Sequence, residues 1–379
     1  MSEFRIPPVS TLIGSSPLNF FRVMQGGGKV SSEYYGKLLL TSMIVGLTYP
    51  FHAIDKFTWD RRAAQSGLKK PPLFILGHWR SGTTFLHNLL CQDPRAGYVT
   101  TFQSLFPQEM ASQWLFKPLM KATMPDKRPS DSVKLDVDLP QEDEFAIGNL
   151  TTESFYHFFY FPQLYRDYRE LSIDKINRGE STSWDKLYNL MLVKASLNTG
   201  ADRLVVKNPV NTARIPALLR IYPDAKFLFI HRNPVSTVLS TIRFFKAVMP
   251  ALWFHQVSDD FIQEMVYDNF NYMMQQYEET KRLIPEVNLM ETGYEDFEKH
   301  PVEHAEKVYQ ILLQEDIKPF RSKLNDFISS QKKHRVNSYR IDREQLNSMT
   351  QRLTFWMEKG GYGVPEEIII KDETNLDQV

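Results

Sequence analysis

Residues Phe74 to Leu90 read FILGHWRSGTTFLHNLL, and no other run narrows the possible folds so far. An apolar segment suited to a buried strand enters a glycine-bounded loop, Gly77-His78-Trp79-Arg80-Ser81-Gly82-Thr83-Thr84, and an apolar helical pattern follows. This is the spacing of a phosphate-binding loop, Gly-x-x-x-x-Gly-Lys-Ser/Thr, with one substitution. Thr83 stands where the lysine belongs, and the loop's cation is Arg80 instead. Where that lysine is present it reaches the outer phosphates of a nucleoside triphosphate, and the last hydroxyl holds magnesium. A loop without it still offers backbone N–H groups and a helix N-terminus to an anion. The run therefore predicts a nucleotide-like anion, and not ATP used as a phosphoryl donor.

Three further apolar runs, Leu204–Val206, Phe227–Ile230 and Val287–Met290, join Leu73–Leu76 as candidate buried parallel strands. Each precedes polar residues and then a helical pattern, which is the signature of βαβ units. The expected fold is α/β: a P-loop-NTPase-like parallel sheet flanked by helices. An N-terminal helical arm (1–70) precedes the main domain (71–340), and a C-terminal helix and tail (341–379) follow it. Helical, aromatic insertions occupy about 92–200, including FYHFFYF at Phe155–Phe161. Behind the second strand comes Lys207-Asn208-Pro209, behind the third His231-Arg232-Asn233-Pro234, and behind the fourth Glu291-Thr292-Gly293-Tyr294-Glu295. Ligands bind beyond the carboxyl ends of the strands in such sheets, so these signatures and the glycine loop should meet in one crevice.

Forty-five basic and forty-five acidic residues cancel, so bulk charge gives no reason to expect nucleic acid as a partner. The single cysteine, Cys91, excludes an intrachain disulfide framework and reads as a small buried apolar residue; the nine histidines show no paired ligand spacing, so no metal is expected. A reducing, cytoplasmic setting fits. From Leu38 to Ile54 the chain carries no acidic residue, lysine or arginine. A spanning helix takes about 20 apolar residues, and Gly46, Pro50 and His52 interrupt this one. It starts too late for a cleavable signal peptide. A core or capping helix is the first reading, and an interfacial anchor that associates the arm peripherally with a membrane is the second.

The loop GHWRSGTTFLHNLL resembles the 5′-phosphosulfate-binding loop of the sulfotransferases that use PAPS, 3′-phosphoadenosine 5′-phosphosulfate. The stretch VVKNPVNTARIPALLRIYPDAKFLFIHRNPVSTVLS is similar to their 3′-phosphate-binding segment, and the likeness covers most of residues 72–330. Arginine in the loop and the Lys-Asn-Pro strand end are closer to the tyrosylprotein and bacterial branch than to the cytosolic one. The resemblance implies PAPS as co-substrate, adenosine 3′,5′-bisphosphate as product and no metal. It places Arg80, Ser81, Gly82, Thr83 and Thr84 around the phosphosulfate, with Arg80 and Lys207 stabilising the group in transfer. Arg232 and Ser240 would hold the 3′-phosphate, Arg supplying a planar fork; Ser236 reads as a capping residue. Phe85 and Tyr294 would border the adenine, or else pack. The basic tail Ser329–Tyr339 would close as a flap, with Lys332, Lys333 or Arg335 reaching the 3′-phosphate.

Activating an acceptor needs a carboxylate or histidine within hydrogen-bond reach of its hydroxyl or amine. The position after the loop helix where relatives carry one reads Tyr98-Val99-Thr100-Thr101-Phe102-Gln103 here. The candidates are therefore Glu142 and Glu144 of the acidic cluster after Pro140, followed by Glu109 and His157. That cluster also reads as an acidic first helical turn stabilised by the helix dipole. The apolar arm and aromatic insertions suggest a lipid, sterol or other amphiphile as acceptor. Two alternatives stay open at this point: a P-loop kinase using Mg-ATP, and a nucleotide-binding protein without catalysis.

Overall fold

The computed structural model describes residues 9–125, 135–331 and 339–370. The flap candidates Lys332, Lys333 and Arg335 lie outside the described residues. Five strands form one sheet: β1 (Leu73–Leu76), β2 (Ala96–Gly97), β3 (Arg203–Lys207), β4 (Lys226–His231) and β5 (Leu289–Gly293). Their order is β2-β3-β1-β4-β5, and every pairing is parallel. A central strand covered by helices on both faces must be apolar throughout, and β1 is buried at all four positions. The fourth strand begins two residues later than its apolar run suggests. Pro285 opens a short turn over Glu286–Asn288, closed by Asn288 N–H on the Pro285 carbonyl at 2.7 Å. Glu291 and Thr292 instead continue the strand, paired with Phe229 and Ile230. An edge strand has one open side, so polar residues are tolerated there.

A further parallel pair, β6 (Tyr339–Ile341) and β7 (Ile368–Ile370), stands apart from the main sheet. The helices that matter for the site are α1 (Pro17–Gly27), α2 (Tyr35–Asp55), α3 (Thr83–Leu90), α4 (Gln113–Thr123) and α5 (Glu144–Leu150). They continue with α6 (Thr182–Thr199), α7 (Pro234–Leu252), α8 (Asp259–Thr280) and α9 (Arg343–Gly360). On one side of the sheet, Leu73, Ile75, Val205, Leu228 and Ile230 pack with α3, and Cys91 is half-buried against that layer. On the other, Phe74, Leu76, Val206 and Phe227 pack with α6. A third cluster joins the aromatic insertion to α7, α8 and the inner face of α9.

The apolar run 38–54 is indeed helical, and α2 passes through Pro50 without ending. A core helix would bury its apolar side, whereas α2 buries Thr41, Val45, Thr48, His52 and Asp55. These polar groups have partners. His52 Nε2 lies 2.8 Å from Glu109 Oε1, and Asp55 accepts from Ala111 N–H at 2.8 Å and from Lys194 of α6. Lys194 Nζ also donates to Asp60 at 2.9 Å and to the Pro107 carbonyl at 2.8 Å, with the lysine buried. Removing one partner of a buried pair leaves the other charge uncompensated. Lys194→Met should therefore lower unfolding free energy by about 3–5 kcal/mol, measured by urea denaturation.

Candidate active site

The glycine loop leaves β1 and turns into α3 with Gly82 at the helix N-cap in a left-handed conformation, φ 98°. A side chain could not be added there: a Cβ on Gly82 would lie 2.3 Å from the ring of Tyr294. Arg80 adopts φ 68°, which is uncommon outside glycine and is found where surrounding structure holds a functional backbone. Thr212, from the turn after β3, pins the start of the loop by accepting from Gly77 N–H at 2.8 Å and donating to the Gly77 carbonyl at 3.2 Å. Ser81 donates to the His78 carbonyl at 2.8 Å. Both Ser81 and Thr83 are buried, while Thr84 is partly exposed. Burial lowers His78 to about 4, so the imidazole beside the loop is neutral at pH 7.

From this loop two chains of contacts run to the other strand ends. Arg80 Nε donates to Ser240 Oγ at 3.1 Å, and its guanidinium stands 5.5 Å from the Phe244 ring centre, both on α7. Trp79 Nε1 donates to Tyr156 Oη at 3.2 Å; the Tyr156 hydroxyl in turn donates to Glu142, which is also ion-paired with Lys207 at the end of β3. Burial, then the Glu142 charge, pushes the Tyr156 hydroxyl far up, so it stays protonated and donates.

The end of β4 presents Arg232 above the ring of Tyr294, 4.6 Å from its centre. Tyr294 thus lies between Gly82 of the loop and the Arg232 guanidinium, and it joins the ends of β1, β4 and β5. Arg232 Nη2 pairs with Glu367 at 3.3 Å, and Ser236 donates to the same carboxylate oxygen at 2.6 Å. Glu367 comes from the C-terminal segment, which is tied down by Asn233 donating to the Gly363 carbonyl at 2.8 Å and by Tyr362 Oη at 2.6 Å from His231 Nδ1. Ser236 is therefore more than a cap. Neither it nor Glu367 was prominent in the sequence, because their meeting depends on a fold-back across some 130 residues. Phe85, by contrast, packs on α3 against Phe297 and Phe327, with ring centres 5.2 and 6.3 Å away.

The two glutamates proposed as bases are placed very differently. Glu144 is fully buried, and Arg214 grips it with both terminal nitrogens at 2.5 and 2.9 Å. Asn208, Phe155 N–H and Ser154 add bonds of 2.8, 2.8 and 3.0 Å. Burial raises its pKa, but the Arg214 charge and these donors outweigh burial and hold it below the ordinary carboxylate value. Both Glu144 oxygens are occupied and the side chain has no solvent exposure, so in this structure it clamps Arg214 and Asn208. Glu109 is buried against His52, and His157 is buried with Nε2 3.2 Å from the Gly148 carbonyl, so neither reaches the loop through these contacts. Glu142 touches Lys207 and is partly exposed.

The parallel sheet thus gathers a lysine-free glycine loop with its arginine after β1, Lys207 at the end of β3 and Arg232 just past β4, the two strands that flank β1, an arrangement suited to holding an anion. Residues 71–316 match the Sulfotransferase family, and the chain belongs to that family and is a sulfotransferase. It is 28% identical over 310 residues to the omega-hydroxy-beta-dihydromenaquinone-9 sulfotransferase Stf3 of Mycobacterium bovis and of Mycobacterium tuberculosis, covering 81% of this chain and 79% of each relative. Its fold is similar to that of sulfotransferase STF9 from Mycobacterium avium, with a TM-score of 0.66, 16% identity, and coverage of 92% of this chain and 97% of that one. The corresponding values for sulfotransferase STF1 from Mycobacterium tuberculosis are 0.60, 16%, 89% and 91%.

The clamp makes a stability prediction. Glu144→Gln should cost about 3–5 kcal/mol at pH 7 by leaving Arg214 buried without its counter-charge. Because the folded pKa of Glu144 is depressed, its stabilisation is present above the unfolded value of 4.5 and is lost as pH falls through the folded value. The gap between the variant and the parent in thermal melts should accordingly be full at pH 7 and shrink at the acid end.

Proposed function

We propose that the protein transfers a sulfuryl group from PAPS to the hydroxyl of a lipid-like amphiphile, and that it stands closer to the bacterial and tyrosylprotein branch of the family than to the cytosolic one. The observation that carries the donor assignment is the grip of Arg232 and Ser236 on a carboxylate, Glu367. Arg232, which the family resemblance assigns to the donor's 3′-phosphate, already holds an anion of the chain's own together with Ser236, which supports its use as an anion grip. Glu142 fits the role of the base that activates the acceptor hydroxyl, because it lies on Lys207 and keeps some solvent access.

In this reading Arg232, Ser236 and Ser240 hold the 3′-phosphate end, and Tyr294 offers its ring beside them. Arg80 and the loop amides, with the Thr83 and Thr84 hydroxyls, neutralise the sulfuryl oxygens as charge shifts onto the departing phosphate oxygen. Lys207 donates to that leaving oxygen. Glu142 accepts the proton of the acceptor hydroxyl as the acceptor oxygen bonds to sulfur and the sulfur–oxygen bond to phosphate breaks. Tyr156, kept protonated, holds the Glu142 carboxylate in place. The lysine-free loop gives no support to Mg-ATP chemistry.

Two observations support the amphiphilic acceptor. Trp79 of the loop is enclosed by aromatic rings, with Phe155, Phe158 and Phe245 centred 6.2, 6.2 and 5.6 Å away. The Stf3 relatives are named for a hydroxylated dihydromenaquinone. Arginine at position 80 and the mycobacterial relatives support the branch.

Glu142→Gln should lower kcat by about 10²–10⁴-fold while affinity for adenosine 3′,5′-bisphosphate changes only a few-fold; unchanged turnover would remove Glu142 from the reaction. Arg232→Ala should weaken that nucleotide about 10- to 100-fold, in line with loss of a hydrogen bond to a charged group. Glu367→Gln, which withdraws the competing charge, should tighten it about tenfold yet leave adenosine 5′-monophosphate unaffected. Isothermal titration with both nucleotides checks each outcome.

A further inference from the structure

The helix α2 has its polarity reversed. Its buried stripe, spaced at intervals of three and four, holds Thr41, Val45, Thr48, His52 and Asp55. The opposite stripe is Leu39, Met43, Leu47, Ile54 and, one turn on, Phe57, and these side chains are between 49% and 75% exposed. Hydrogen bonds fasten the inner stripe along its length, from Ser10 N–H on Thr41 to Glu109 on His52 and Lys194 on Asp55. The helical run Ser32–Ala64 is long and apolar enough to cross a bilayer, but this docking keeps it flat against the domain. Neighbouring helices extend the apolar surface: α1 exposes Leu18 and Phe21, and α4, reached through the edge-on contact of Phe116 with Phe51, exposes Trp114.

Charge identifies the occupant. Lys56, Arg61 and Arg62 are exposed just past α2, and Arg22 is exposed on α1. Of the acidic residues between Ser32 and Ala64, Asp55 and Asp60 face inward onto Lys194, and Glu33 alone is exposed among these described residues. An apolar stripe with a basic rim matches an anionic lipid surface, into which such a helix sinks its apolar side while the cations meet headgroups. A second copy of the chain would bring the same positive rim. We infer that the α2 face docks the protein on anionic membranes, with the helix lying in the plane of the interface. The cluster beneath α2, containing Val45 and Leu12, continues through Tyr160 and Phe158 to Trp79 of the anion loop.

Co-sedimentation of the full chain with vesicles tests this, using phosphatidylcholine alone and phosphatidylcholine with about one-third phosphatidylserine. Binding should favour the anionic vesicles and weaken with added salt. The double variant Leu39→Glu/Leu47→Glu should bind about tenfold less or worse, with melting temperature and affinity for adenosine 3′,5′-bisphosphate unchanged because both side chains are exposed. Lys56→Gln/Arg61→Gln/Arg62→Gln should remove the preference for anionic lipid. Absence of binding to both vesicles overturns the inference, as does equal binding to both. Concentration-dependent dimerisation in analytical ultracentrifugation that Leu47→Glu abolishes would assign the face to a second copy instead.

Discussion

The buried pair of Glu144 and Arg214 is the interaction on which the site's geometry depends. Arg214 lies in the turn after β3, and its Nε also donates to the Ser172 carbonyl at 2.7 Å. Glu144 opens α5, in the insertion, and accepts from Asn208 of the same turn as Arg214. Insertion and strand end are thus locked together by one carboxylate. Two residues earlier, Glu142 has little freedom left and falls on Lys207. A buried ion pair of this kind adds little net stability over an apolar replacement. What it adds here is placement, since both partners carry directional bonds to separate segments.

Around that clamp, each charged group of the site is held by another part of the chain. Lys207 has Glu142, Arg80 has Ser240, and Arg232 has Glu367. Cations gathered at adjacent strand ends repel one another, and their desolvation is unfavourable. A counter-ion on Lys207 and another on Arg232 relieve both problems within the fold. If Arg232 and Ser236 hold the donor's 3′-phosphate as proposed, anion binding is an exchange in which that phosphate competes with Glu367. Under that proposal, binding strength is set by a difference between two anions, and the C-terminal segment influences affinity without contact with the reacting atoms.

Much of this was legible in the sequence because strand, loop and helix signals coincide there. The burial of β1, the loop from Gly77 to Thr84 and the Lys207 and Arg232 strand ends all follow from local pattern and from the rule that parallel sheets gather ligands at their carboxyl edge. What was not legible is long-range. Glu142 and Glu144 are equivalent as letters, and only the position of Arg214 separates them. Glu367 lies beyond any recognisable motif, and Ser236 carries an ordinary capping signal. The edge strand β5 begins two residues after its apolar run begins and ends three residues after it, because its pairing partner, rather than its own apolarity, sets its limits.

Residues 38–54 show a different limit. Apolar composition states that water is unfavourable for those side chains but not what replaces it, whether core, lipid or another protein. Periodicity does not resolve the matter either, since a helix with one apolar stripe looks the same whichever way the stripe faces. The deciding information is in the polar residues. Thr41, Thr48, His52 and Asp55 share a stripe, and each buried polar group needs a partner. Ser10, Glu109 and Lys194 provide partners for three of them. Once these bonds fix the polar stripe inward, Leu39, Met43 and Leu47 have no position left but the outside. Hydrogen-bond satisfaction, which is directional, outranks apolar burial in orienting this helix, and the exposed face is a consequence of it.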